Sequence, residues 1–181
     1  MASGSYEITD KRILESGKKL FLKNGYERTN LRDLCKAAGV TTGAFYRHFE
    51  DKASIFAALV EEAANGLLTK FDRAEEECFD FIDAGNTEEV WRVSSETITA
   101  FIRYIYAHFE EFKLILCCSG GTKYSDYIDW LVERELRSTY RMFDLLDQKS
   151  VPYHRIAGQE LHMILHAYYA CLFETVLHDF S

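Results

Sequence analysis

The sequence predicts an all-α protein. Its apolar residues recur at intervals of three and four instead of alternating, a spacing that is typical of helices with one buried face. Pro152 is the only proline among 181 residues, so nearly every helix can continue without interruption. Hydrophobic residues make up 48% of the chain and charged residues 28%, which excludes disordered and low-complexity classes. We therefore expect a compact, soluble helical protein.

Two helices are predicted before residue 40. The first spans about 8–23 and ends at an Asn-Gly pair, which is typical of a left-handed C-cap. The second is short, because Asn30 and Asp33 form a capping pair at its start and Gly39 ends it.

The next two helices begin at hydroxyl or acidic caps. Thr41 or Thr42 caps a third helix, which is expected to run through Phe49. Asp51 caps a fourth helix, which is expected to span 52–71. The remaining predicted segments are a helix at about 87–108, an apolar segment at 112–118, and two long helices at about 123–149 and 155–179.

The segment from Leu31 to Phe49 has the form of a helix-turn-helix. In this motif two short helices meet at a turn, and the second helix enters the major groove of DNA. Ala37 and Ala38 allow the two helices to approach closely, and Gly39 permits the sharp turn between them. The outer side of the third helix is then available to contact DNA.

Residues 16–56, SGKKLFLKNGYERTNLRDLCKAAGVTTGAFYRHFEDKASIF, resemble the N-terminal DNA-binding domain of TetR/AcrR-type transcriptional regulators. Gly-Tyr, Leu-Arg-Asp-Leu, Ala-Gly-Val, Phe-Tyr-x-His-Phe and Asp-Lys follow one another in the order and spacing of that family. The resemblance covers roughly residues 8–60, and the rest of the chain is similar to the family only in layout. It implies a three-helix helix-turn-helix DNA-binding head at 6–52, a connecting helix at 52–71, and a helical-bundle body at 72–181 for effector binding and dimerisation.

The resemblance also implies which residues of the third helix contact DNA. Tyr46 and His48 match the family's pair of backbone contacts, and Arg47 has the side chain best suited to bidentate contact with guanine. Small residues open the helix, so that backbone N–H groups can approach phosphates and base edges. These small residues are Thr41, Thr42, Gly43 and Ala44.

Further contacts are expected outside the third helix. Lys52 can pair with a phosphate, Arg32 can add a backbone contact, and Thr29 or Asn30 can present the start of the second helix to the other strand. A structural alternative exists for several of these residues, because Asn30 can serve only as a cap and Lys52 can be an ordinary solvated charge. In the same way, Thr41 can serve only as a cap, Arg47 can be an ordinary solvated charge, and Tyr46 and His48 can be ordinary exposed residues.

The net charge of −8 speaks against nucleic acid as a partner only when the chain is taken as a whole. Residues 1–52 hold ten Lys and Arg against seven Asp and Glu, a net charge of +3. The remainder holds eleven against twenty-two, a net charge of −11. The acidity therefore lies outside the proposed DNA-binding head.

Composition also indicates the compartment. Five cysteines without C-x-x-C spacing predict neither a disulfide framework nor a zinc site, which suits a reducing cytoplasm. The start of the chain has no apolar stretch of a secretory signal, and no apolar run approaches the roughly 20 residues needed to span a bilayer. We expect a cytoplasmic protein without a membrane segment, cofactor or metal.

One face of the last predicted helix carries His162, His166 and His178 together with Glu174. A row of polar residues within a helix bundle explains this face better than a metal site.

The rear of the chain is rich in aromatic residues, which fits either a plain core or an apolar ligand pocket. The family resemblance implies an effector pocket here. The residues expected to line it are Phe101, Tyr104, Ile105, Phe109, Tyr127, Trp130, Tyr169 and Phe173.

The resemblance further implies a homodimer formed by the two last helices, 123–149 and 155–179, which carry more apolar face than one small domain can hide. A two-fold axis requires a near-palindromic operator on double-stranded DNA.

The leading hypothesis is a repressor that a small-molecule effector releases from its operator. The alternative is a helical scaffold for small molecules or proteins with a vestigial DNA head. An enzyme is not expected, because no nucleophile elbow, phosphate loop, dinucleotide fingerprint or zinc-protease motif is present.

Overall fold

The structure, a computed structural model, describes residues 2–178, and all of its regular secondary structure in that range is helical. None of these helices combines the length and apolar character that crossing a membrane requires. In chain order the helices are α1 (Ala2–Asn24), α2 (Leu31–Ala38), α3 (Thr42–Phe45), α4 (Lys52–Asp83), α5 (Thr87–Ala107), α6 (Phe109–Cys118), α7 (Tyr127–Gln148) and α8 (Gly158–Leu177). The predicted all-α class is confirmed.

The chain forms two units. The first holds the chain up to Ala64 together with Phe109–Ser125, and the second holds Asn65–His108 and the chain from Asp126 onward. Helix α4 supplies residues to both units. The division differs from the predicted 6–52 and 72–181, because α6 packs against α1 in the first unit.

The first unit has a core to which five helices contribute. The rings of Phe21 and Phe56 meet edge to face at 5.3 Å between centroids. Lys18 of α1 pairs with Glu110 at 2.6 Å and with Glu111 at 2.9 Å, which ties α6 to α1. Fully or almost fully buried members of this core are Ile13, Phe21, Leu34, Phe45, Ile55, Phe56, Phe112, Leu114 and Ile115.

The core of the second unit comes from the later part of α4 and from α5, α7 and α8. Helices α7 and α8 pack along each other, and the rings of Tyr127 and Phe173 lie 6.5 Å apart. The buried side chains include Leu67, Phe71, Ile82, Val93, Phe101, Ile105, Tyr127, Leu131, Val132, Phe143, Tyr169, Phe173 and Val176.

Three of the first four helices differ in extent from the prediction. Helix α1 begins at Ala2 instead of residue 8, and α3 ends at Phe45, after which turns replace the helix expected through Phe49. Helix α4 continues to Asp83, beyond the predicted end at 71. The stretch RAEEECFDFID has no Gly or Pro and many good helix formers, so nothing in it ends the helix before Gly85.

The later helices keep their predicted places with shifted ends. The apolar segment 112–118 is the larger part of α6, and α7 begins at Tyr127 because turns occupy the chain ahead of it. Helix α8 covers Gly158–Leu177 of the predicted 155–179, and residue 179 lies outside the described residues.

Candidate nucleic-acid interface and ligand cavity

Gly39 sets the turn between α2 and α3. Its φ of 65° and ψ of 37° lie in the left-handed region, which glycine adopts without steric cost. Its N–H and that of Val40 donate to carbonyls in the last turn of α2, which satisfies two free acceptors there. A Cβ at this position would also lie 2.5 Å from Nη2 of Arg12, which donates to the Ala38 carbonyl at 2.7 Å.

Two side chains cap the helices of the motif. Asn30 Oδ1 accepts the N–H of Asp33 at 2.9 Å, and Asn30 Nδ2 donates to the Asp33 carboxylate at 2.6 Å. Thr41 Oγ1 accepts the N–H of Ala44, a half-buried residue, at 3.1 Å. The capping roles predicted for Asn30 and Thr41 are confirmed.

The outer side of α3 and of the turn after it is exposed. Thr42 and Gly43 are exposed, and no atom lies within 4 Å of the place where a Cβ would stand on Gly43. Phe45 is fully buried and fixes the helix to the core, whereas Tyr46 is 57% exposed and Arg47 is exposed beside it. The surface formed by Thr42, Gly43, Tyr46 and Arg47 is named the recognition face below.

The first turns of α1 hold the end of this segment. The Tyr6 hydroxyl donates to the Arg47 carbonyl at 2.7 Å, and the Tyr6 ring stacks on the His48 ring at 4.0 Å between centroids. His48 Nδ1 lies 2.6 Å from Asp10 Oδ1, and only 8% of the His48 side chain is exposed. The imidazole expected to contact the DNA backbone is therefore mostly covered by α1.

Lys52 serves the chain's own backbone. Its Nζ donates to the carbonyls of Tyr26 and Thr29 at 2.7 and 2.9 Å and lies 3.9 Å from the centre of the Tyr26 ring. Burial lowers the pKa of the Lys52 ammonium, and the charge of Glu27 opposes that effect. The ammonium expected to meet a phosphate thus holds the loop after α1 against the start of α4.

The segment ahead of α2 divides into enclosed and exposed residues. Thr29 is 2% exposed, and its hydroxyl lies 2.8 Å from the Gly25 carbonyl and 3.3 Å from the Leu20 carbonyl. Its side chain is therefore enclosed by the loop. Asn30, directly ahead of α2, and Arg32, in the first turn of that helix, are exposed, and their contacts with DNA stay a prediction.

The second unit contains a cavity of about 830 Å³. The later part of α4, α5, α7, α8 and the loop 151–154 line it. Two carboxylates, Glu75 and Glu135, belong to the wall together with hydroxyls of Ser and Thr residues. Its aromatic members are Phe71, Phe79, Phe101, Phe143, Tyr153 and Tyr168.

The structure places the eight residues expected to line a ligand pocket in several environments. Phe101 lines the cavity. Phe109 lies in the first unit, and Trp130 is 43% exposed. The Tyr104 hydroxyl lies beside Gly66 of α4, so its ring fills a gap next to that helix.

The other four expected residues are core. Ile105, Tyr127, Tyr169 and Phe173 are at most 1% exposed and do not border the cavity. They lie on the helix faces that pack inside the second unit, and neighbouring faces line the cavity instead.

The histidines of α8 and His178 at its end have separate neighbours in the described part of the chain. His162 and His166 rings lie 6.3 Å apart, and His166 faces Asp129 at 3.8 Å. His178 pairs with Glu174 at 2.8 Å. No group of three or more possible metal ligands occurs among the described residues.

The short helix, the left-handed turn and the second, exposed helix define a helix-turn-helix protein of the DNA-binding class. Residues 13–59 match the family model described as bacterial regulatory proteins, tetR family. Residues 13–59 therefore resemble the DNA-binding domain of the TetR/AcrR family of bacterial regulators.

Curated relatives match in the same region. The chain is 43% identical over 53 residues to the HTH-type transcriptional regulator TtgR of Pseudomonas putida, which is 29% of this chain and 25% of that protein. It is 37% identical over 65 residues to the HTH-type transcriptional repressor AcnR of Corynebacterium efficiens, which is 35% of each chain. The match thus spans about a quarter to a third of the length of these relatives.

Solved structures share the fold over most of the chain. A transcriptional regulator of the TerR/AcrR family from Aquifex aeolicus superposes with a TM-score of 0.58 at 20% identity, covering 94% of this chain and 85% of that one. The TetR family transcriptional regulator PfmR from Thermus thermophilus gives a TM-score of 0.56 at 22% identity, covering 91% and 84%. The likeness concerns the fold of both units.

Proposed function

We propose that this protein is a sequence-specific transcriptional regulator, a repressor that binds DNA through the recognition face. The observation that carries the proposal is the exposure of Tyr46 and Arg47 at the end of a capped helix whose other side, through Phe45, is fully buried. An exposed Arg in the turn directly after an anchored helix can reach base edges, and an exposed tyrosine hydroxyl can donate to a phosphate. The relatives TtgR and AcnR, named as a transcriptional regulator and a repressor, support this reading.

The experiment selects bound duplexes from a random DNA pool and measures their affinity by fluorescence anisotropy. We expect Arg47→Ala to lose about 1–3 kcal/mol of discrimination at one base position, and Tyr46→Ala to weaken binding to all sequences. Arg103→Ala, which removes an exposed arginine of α5, serves as the control and should bind like the unmodified chain. Selection of no preferred sequence would refute the proposal and favour a scaffold with a vestigial head.

The proposed regulator is a homodimer formed by α7 and α8. Large apolar side chains remain exposed on these helices, with Met163 at 70%, Trp130 at 43% and Leu177 at 42%. Apolar surface of this kind is typical of an interface between subunits. A two-fold dimer requires two similar half-sites, so the selected DNA should be near-palindromic.

Release by a small-molecule effector is the proposed regulation. The cavity of about 830 Å³ lies in the size range of drug-sized ligand sites. Helix α4 lines this cavity and begins at Lys52 in the first unit. An effector with different affinities for two positions of α4 would shift the population that binds DNA.

A further inference from the structure

The charged groups in the wall of the cavity are unequal in sign. Glu75 and Glu135 belong to the wall, and its described residues include no Lys or Arg. The basic side chain among these lining residues is His154, which is exposed. An anionic effector would therefore meet two carboxylates without a fixed cation among these lining residues.

The two carboxylates differ in how they are compensated. Glu75, with 15% of its side chain exposed, pairs with Arg141 at 3.2 Å. Glu135 accepts a hydrogen bond from the Tyr169 hydroxyl at 3.0 Å, a donor that brings no charge. Among the described residues no cation lies within 4 Å of the Glu135 carboxylate. The cavity thus contains one carboxylate with a cationic partner and one without.

The surroundings of Glu135 disfavour its charged form. Burial raises the pKa of Glu135, the hydrogen bond from Tyr169 lowers it, and the charge of Glu75 raises it again. Burial and the charge of Glu135 together raise the pKa of Tyr168 to about 12. A cation beside Glu135 would replace the solvation that the carboxylate has lost.

The aromatic wall suits a diffuse positive charge. A cation above a ring is attracted to its face, and six aromatic rings border the cavity. Three of these rings already carry a cation on one face. Arg141 lies 4.8 Å from the centre of the Phe79 ring, Arg134 lies 5.4 Å from that of Phe71, and Arg155 lies 5.7 Å from that of Phe143. Arg134, which neighbours Glu135, is paired with Asp72.

We propose that the effector of this protein is a lipophilic cation, which places its positive charge beside Glu135 and its apolar part against the aromatic wall. The inference rests on the proposed function, because it takes the cavity of the second unit as the effector site. It goes beyond that function in naming the chemical class of the ligand.

The test uses two ions of nearly equal size and shape, tetraphenylphosphonium and tetraphenylborate, with opposite charges. Isothermal titration calorimetry on the full chain should show tetraphenylphosphonium binding about tenfold tighter or more than tetraphenylborate. Equal affinities, tighter binding of the anion, or no binding of either ion would overturn the proposal.

A pair of variants on α7 assigns the preference to one carboxylate. Glu135→Gln keeps an oxygen that can accept from the Tyr169 hydroxyl and removes the charge, so the cation should bind about tenfold weaker while the anion does not. Glu133→Gln removes an exposed charge two residues away and should leave both affinities unchanged. Retained tight binding of the cation by Glu135→Gln would overturn the role of this residue. If that variant fails to fold, the comparison of the two ions on the unmodified chain decides alone.

DNA binding is measured separately, so the two proposals fail in different ways. A chain that binds the cation selectively but selects no DNA sequence contradicts the regulator and leaves the cation site standing. A chain that selects DNA but does not prefer the cation contradicts the site and leaves the regulator standing. Release of the selected duplex by tetraphenylphosphonium, but not by tetraphenylborate, would support both.

Discussion

Replacing Lys52 by methionine separates two roles of this residue, a phosphate contact and an internal clamp. The ammonium donates to the Tyr26 and Thr29 carbonyls and lies over the Tyr26 ring. Methionine keeps most of the aliphatic stem but supplies neither charge nor donor. We expect Lys52→Met to loosen the attachment of the loop after α1 to the first turn of α4.

The magnitude follows from these contacts. A hydrogen bond to a charged group contributes about 1.5–3 kcal/mol, and a cation over an aromatic ring at an exposed site about 0.5–1 kcal/mol. Lys52 is only half-buried, so solvent screens its charge, and we count its two hydrogen bonds together as one at the lower end of the range, with the ring contact also at the lower end. The free energy of unfolding should fall by about 2 kcal/mol, which for a chain of this size lowers Tm by roughly 4–8 °C.

The assay combines thermal unfolding with anisotropy titrations of a selected duplex at several salt concentrations. A clamp predicts a lower Tm and an unchanged slope of log affinity against log salt. A phosphate contact predicts an unchanged Tm and a slope smaller by about one, because one phosphate is no longer neutralised. Lys19→Met, at an exposed position of α1, is the control for removal of one charge from the first unit. An unchanged Tm with a reduced slope would refute the clamp.

Three further variants test other parts of the structure. Gly39→Ala should lower the free energy of unfolding by about 1–2 kcal/mol in urea titrations, because φ is positive there and Arg12 lies close, and an unchanged midpoint would contradict this. Since burial raises the pKa of Glu135, stability is lost as pH rises through that pKa, so Glu135→Gln should be more stable than the parent at neutral pH and equal to it below 4.5. Thermal scans at several pH values check this, and an equal gain in Glu133→Gln would refute it. Met163→Glu should convert the proposed dimer to a monomer, as measured by light scattering, and an unchanged mass would exclude that face from the interface.

The sequence predicts the helix-turn-helix well because its signals are local. Asn30 and Thr41 each accept a hydrogen bond from an N–H three residues further on, so both partners lie within the same short stretch of sequence. Gly39 adopts the left-handed conformation that the adjoining helix end requires. These features do not depend on the rest of the fold.

The side chains that turn away from the recognition face depend on distant partners. His48 contacts Tyr6 and Asp10, about forty residues earlier in the chain, and Lys52 contacts carbonyls more than twenty residues earlier. Motif spacing shows that these residues are near the DNA-binding surface but not which way their side chains point. The early start of α1 belongs to the same class, since Tyr6 is fixed by the chain around Arg47.

The cavity was harder to predict because it depends on which faces of four helices meet. One signal was available in α7, where Glu135 and the hydroxyls of Ser138 and Thr139 follow the helical spacing of the buried Leu131 and Val132. Polar residues at positions that should be core indicate a polar site inside a helical unit. Phe101, which lines the cavity, has the same signal, because Ser94 and Thr97 precede it at helical spacing on its own face.

Three cations of the first unit bind backbone carbonyls of the chain itself, which limits the number that can contact DNA. Arg12 and Arg28 donate to the carbonyls of Ala38 and Asn24, which end α2 and α1, and Lys52 donates to two loop carbonyls. These three cations satisfy acceptors at helix ends and loops, and their side chains are held in those positions. The net charge of +3 in residues 1–52 therefore overstates the number of cations that can meet phosphates. Because each neutralised phosphate adds about 0.9 to the magnitude of the salt slope, the slope should be smaller than ten free cations in residues 1–52 would give, and sequence preference should come chiefly from the recognition face.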